Sequence, residues 1–122
     1  INLQYVNFED DLKTVQDELG IKVHHFDDLD QYNNVDDVAA LCAALDIVIS
    51  TKVTPPFISS GVGTPTKIAN WKQSAYNNIL NNPVTSSFEM HDRNIWETWG
   101  NVFNSIAENI VKLNGQNNYY EI

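Results

Sequence analysis

The sequence predicts an α/β domain: a three-layer sandwich with a mainly parallel five-stranded sheet and helices on both faces. Three observations carry that expectation. Ile47-Val48-Ile49 is a short apolar run of β-branched residues, the mark of a strand buried on both faces. Pro55 and Pro56 suit the first turn of a helix and lead into Phe57-Ile58-Ser59-Ser60, which Gly61 and Gly63 end. Pro65 then opens a second strand, Thr66–Ala69. A strand, a helix and a strand within about 25 residues form a crossover, and crossovers join parallel strands.

The other elements follow in chain order. Ile1–Val6 reads as a strand. Phe8, Leu12, Val15 and Leu19 lie on one face of a helix that starts acidic, at Glu9-Asp10-Asp11, and stops at Gly20. Ile21–Phe26 is a second strand, followed by a polar loop. Asn34, with Asp37 three residues on, caps a helix whose buried stripe is Val35, Val38, Leu41, Cys42 and Leu45. Trp71–Leu80 reads as a weak helix and Thr85–Met90 as the last strand. Asn94 and Glu97 have capping-box spacing ahead of the longest helix. Its apolar positions Trp96, Trp99, Phe103, Ile106, Ile110 and Leu113 recur every three or four residues, which places both tryptophans in the core rather than on a sugar-stacking platform. Asn114-Gly115 ends it. The chain therefore reads as one domain, 1–115, with a tail, 116–122.

Composition narrows the function. Across 122 residues there are 16 acidic and 7 basic side chains, a net charge of −9. That field repels nucleic acid and anionic membrane surfaces. No apolar run in these residues approaches the length of a membrane span, and none of them reads as a signal peptide. A lone cysteine, Cys42, in an apolar helical stretch reads as a buried thiol in a cytoplasmic protein.

In open parallel sheets, ligands sit beyond the carboxyl ends of the strands, which directs attention to Ser50–Phe57. The turn Ser50, Thr51, Lys52, Val53, Thr54 precedes a helix N-terminus, where free amides and the helix dipole favour an anion. Thr54 reads as the N-cap. Pro55 and Pro56 remove two amide donors, and Lys52 offers a point charge in their place. Gly61-Val62-Gly63 closes a helix instead of opening one, the wrong context for a phosphate-binding fingerprint. His24 and His25 are adjacent on a strand and point to opposite faces, so no metal site is expected there. His91-Asp92-Arg93 reads as a turn. The sequence suggests no cofactor, and spacing supports no nucleophile–base pair.

The stretch Leu45–Thr66, LDIVISTKVTPPFISSGVGTPT, resembles the donor-binding half of GT-B glycosyltransferases. It is most similar to the heptosyltransferases and the tetratricopeptide-linked relatives of O-linked N-acetylglucosamine transferase. INLQYV and the run from Val23 to Asp46 resemble the same group. The resemblance implies a Rossmann-like fold and a nucleotide-sugar site at Ser50, Thr51, Lys52, Val53, Thr54 and Phe57. Three of these depart from the family pattern: Lys52 replaces Asp, Val53 replaces Thr or Ser, and Phe57 replaces His. The expected function is thus a degenerate glycosyltransferase-like domain, a binding or assembly module with a weakened nucleotide-sugar site. The alternative is the donor half of an active transferase whose N-terminal half lies elsewhere in a longer protein. The family's strand order 3-2-1-4-5-6 also makes Ile1–Val6 the second strand and Ile47–Ser50 the fourth. With no first strand, either those two pair directly or another chain supplies an element, and the apolar surface left where the first crossover helix belongs predicts a homo-oligomer, a dimer buried around Ile1–Leu19.

Overall fold

The computed structural model describes residues 1–72 and 87–117. Three parallel strands lie in the order β1 (Val48–Ser50), β2 (Thr66–Trp71), β3 (Phe88–Arg93). Val48 pairs with Thr66 and Thr66 with Phe88, so the strands start level, while β2 and β3 run on together to Trp71 and Arg93. Thr66 through Asn70 are buried without a break, as a central strand covered on both faces requires. The crossover helix α3 (Thr54–Gly61) joins β1 to β2 as the sequence predicts.

Side-chain alternation along β2 separates its two faces. On one, Thr66 meets α3 through a 2.8 Å hydrogen bond between its hydroxyl and that of Ser59. On the other, Ala69 packs with Val102 and Ile106 of α4 (Trp99–Asn117). Lys67, on that same face, is ion-paired with Glu89, its neighbour in register on β3. Ahead of the sheet come α1 (Glu9–Leu19), which Gly20 ends at a φ of 65°, and α2 (Val35–Ala43). Asn34 caps α2 by accepting from the Asp37 N–H at 3.2 Å. Val38 and Cys42 are buried, whereas Val35 is exposed. The Thr64 hydroxyl donates to the Cys42 carbonyl at 2.8 Å and ties the end of α2 to the entry of β2.

Several expectations need correction. Ile1–Val6 and Ile21–Phe26 form no strand; a single backbone bond, Asn2 N–H to the His24 carbonyl at 2.7 Å, links them. The Asn2 side chain accounts for this. Its Oδ1 accepts from the Gln4 N–H at 2.9 Å and its Nδ2 donates to the Gln4 carbonyl at 3.2 Å, so both Gln4 backbone groups are occupied locally. The sheet among the described residues therefore has three strands, not five. Ile1–Val6 does not pair with β1 either: a cleft separates them.

Trp71 closes β2 instead of opening a helix; the rest of that expected helix, 73–80, lies outside the described residues. His91-Asp92-Arg93 is the end of β3, not a turn. Val53 is the N-cap of α3, and Thr54 is its first residue. At α4 the Glu97 carboxylate does accept from the Asn94 N–H at 2.9 Å, but the helix starts later, at Trp99. Trp96 is consequently left on a turn and is 90% exposed, so it is no core residue. Asn114 and Gly115 continue the helix to Asn117.

Candidate functional site

The loop Ser50–Thr54 stands at the carboxyl edge of the sheet, ahead of the α3 N-terminus, and it offers an anion very little. A helix N-terminus presents four orphan N–H groups. Here the N-cap Val53 N–H already donates to the Thr51 carbonyl at 2.9 Å, and Pro55 and Pro56 have no N–H to give. Only the Thr54 N–H remains. Burial holds the Lys52 ammonium below its usual pKa, while the charge of Asp92 pulls the other way. Asp92 comes from the end of β3, where its carboxylate accepts from the amide of Asn70 at the end of β2. Lys52, Asn70 and Asp92 thus bring loop and strand ends together.

The six residues predicted for the site do not act as one group. Ser50, Thr51 and Val53 line a cleft of about 670 Å³ along the outer edge of β1, whose far wall is Ile1–Val6. Lys52 lies outside the cleft lining and within electrostatic reach of Asp92. Thr54 sits in the first turn of α3. Phe57, one turn beyond Thr54 on α3, packs edge-on against Phe88 at the amino end of β3, ring centroids 5.6 Å apart, and does not line the cleft. Asn70 and Asp92 were missed in the sequence. No local sequence signal marks them, because their meeting depends on how far β2 and β3 run side by side.

Beside this edge, on the α4 face, lies a second group. The Arg93 guanidinium sits 4.7 Å from the Trp71 ring centre and 5.0 Å from that of Trp99. Its Nε donates to the Glu97 carbonyl at 2.7 Å. The backbone N–H of Asn94 holds the Glu97 carboxyl below its usual pKa range, helped by the Asn94 side chain.

Part of one curated protein matches this chain. Protein FlbA of Caulobacter vibrioides (strain ATCC 19089 / CIP 103742 / CB 15) is 30% identical over 113 residues, which cover 88% of this chain and 19% of FlbA. The chain therefore spans less than a fifth of FlbA, and the alignment takes in both the β1–α3–β2 crossover and most of the flanking elements. No family model and no solved structure matches. Among the described residues no helix is long and apolar enough to cross a membrane, and no three His, Cys, Asp or Glu side chains converge as metal ligands. His25 is instead engaged by Asn2, 3.1 Å from its Nδ1, and by the Phe8 ring.

Proposed function

We propose that this chain is a degenerate glycosyltransferase-like domain of the kind that forms the C-terminal half of a GT-B enzyme. It serves as a binding or assembly module and keeps only a weak nucleotide-sugar site. The observation that carries this reading is the state of the α3 N-terminus, where one of four orphan amides is left to meet a diphosphate. Its place at the carboxyl edge of a parallel sheet supports the site; its poverty of donors supports the loss of affinity. A second, open anion is also disfavoured by Asp92, which competes for Lys52.

The reading extends to the wider architecture. A full sheet would be five-stranded in a three-layer sandwich, with Ile1–Val6 and Ile21–Phe26 supplying the two further strands. The partner it implies is the N-terminal half of a longer, cytoplasmic protein, and alignment to a fraction of FlbA is compatible with such a parent. A second copy is a further partner, because Val6, Leu19 and Ile21 are exposed apolar residues of the N-terminal segment.

Isothermal calorimetry with UDP, GDP and ADP sugars tests the site. A lost hydrogen bond to a charged group is worth roughly 1.5–3 kcal/mol. Losing two lowers affinity by about two to four orders of magnitude, to no better than roughly millimolar. The alternative, the donor half of an active transferase, draws on Lys52 as a replacement cation for the missing amides. Micromolar affinity for any of these sugars would overturn the degenerate site and favour that alternative.

A further inference from the structure

The protein has three tryptophans, Trp71, Trp96 and Trp99, and the fold brings all three to one corner. Trp71 ends β2 and Trp99 begins α4; their ring centroids are 6.5 Å apart and Arg93 stacks on both. Trp96 stands on the turn between Arg93 and Trp99. That turn is closed three times: Arg93 Nε to the Glu97 carbonyl, Asn94 N–H to the Glu97 carboxylate, and Glu97 N–H to the Asn94 carbonyl at 3.1 Å. The exposure of Trp96 is therefore built into a fixed turn. A large indole held 90% exposed beside two half-exposed ones is an apolar surface that soluble proteins seldom leave without a use.

We propose that this corner is a carbohydrate subsite for a neutral pyranoside. The C–H face of the sugar lies on the Trp96 and Trp99 indoles, and its hydroxyls meet Arg93 and Glu97. Three features select that chemistry. The exposed rings are flat and apolar, so the ligand must present a flat apolar face. Among the described residues the terminal nitrogens of Arg93 have no hydrogen-bond partner, and its orientation is already fixed by two rings and its own Nε, so it is pre-organised to donate. An apolar peptide would leave those donors unmet. The protein's charge of −9, with the Glu97 carboxylate in the corner itself, opposes a phosphate or other anion. A sugar ring meets all three conditions: one apolar face, a rim of hydroxyls, no charge. The subsite does not depend on a nucleotide site at the α3 N-terminus.

Because the corner holds every tryptophan, intrinsic fluorescence reports on it alone. Titrating the 122-residue chain with methyl α-glucoside and with N,N′-diacetylchitobiose should give a saturable change, with Kd on the order of millimolar for so small a ligand. Trp96→Ala should weaken binding by at least about tenfold and leave Tm unchanged, since the indole packs against nothing. Arg93→Lys should weaken it several-fold, because the rigid fork is lost. A response no larger than that to equal glycerol overturns the proposal, and so does wild-type affinity in Trp96→Ala. A response to UDP and none to glycosides places a base on the rings and overturns it too. Calorimetry with UDP on Trp96→Ala keeps the two sites apart: an unchanged UDP affinity with lost glycoside binding separates this subsite from the nucleotide reading.

Discussion

Lys67 is a lysine in the middle of the central strand, its side chain only 5% exposed, with Glu89 as its ionic partner. Glu89 is less confined: it is half-exposed and also accepts from the Asn109 amide at 2.9 Å. That asymmetry fixes the outcome of cutting the pair from either side. Glu89→Ala leaves a buried ammonium without its carboxylate. One-sided cuts of buried pairs cost about 3–5 kcal/mol, and the partial exposure of Glu89 places this one near the lower end, about 3 kcal/mol. Lys67→Met removes the charge and fills the same space. Glu89 then keeps Asn109 and water, so the cost stays below about 1 kcal/mol. Lys67→Met with Glu89→Gln should come out close to wild type. Urea unfolding followed by circular dichroism measures all three. With a slope of roughly 1.5 kcal/mol per molar, Glu89→Ala should lower the midpoint by about 2 M and the other two by well under 1 M. Equal losses in the two single variants would mean that attraction between the charges, not the burial of Lys67, governs the pair, and would refute the reasoning.

Two further outcomes follow. Burial, the largest influence, lowers the pKa of His91, with Lys67 acting in the same direction and Glu89 and Asp92 opposing it. The unfolded chain takes up this proton near the ordinary histidine value of 6.5, where the folded chain still refuses it. The contribution of His91 to stability is therefore complete above that pH and is lost as pH falls through the depressed folded value. Urea midpoints between pH 8 and 5 should fall more steeply in the wild type than in His91→Gln; parallel slopes would contradict this. Light scattering at micromolar concentration should find a dimer, and a strict monomer would remove the homo-oligomer from the proposed function.

The centre of the fold was legible because its signals are local. A β-branched run, two prolines and a pair of glycines specify β1, α3 and β2 with no help from distant residues, and Asn34 and Gly20 mark helix ends by their own chemistry. The failures each involve a competitor that spacing does not reveal. Ile1–Val6 has strand-like residues, but the Asn2 side chain takes the Gln4 backbone groups a ladder would need. Trp96 and Trp99 keep helical spacing across a turn, since the Asn94–Glu97 bond of a capping box also stabilises a turn that is not yet helix. His91 looks too polar for a buried strand until α4 supplies Ser105, whose hydroxyl lies 3.0 Å from its Nδ1. At the site, the loop was found from topology. Its partners Asn70 and Asp92 depended on how far β2 and β3 run together, which no local pattern states.

The N-terminal third has a consequence of its own. Among the described residues, residues 1–33 hydrogen-bond with one another and with Asn34, and α1 buries none of its side chains. Such a lobe opens at a fraction of the free energy needed to unfold the sheet. Its opening withdraws Ile1–Val6, the far wall of the cleft, and uncovers the backbone edge of β1. The backbone amides of residues 1–33 should then exchange with solvent ahead of those of β2.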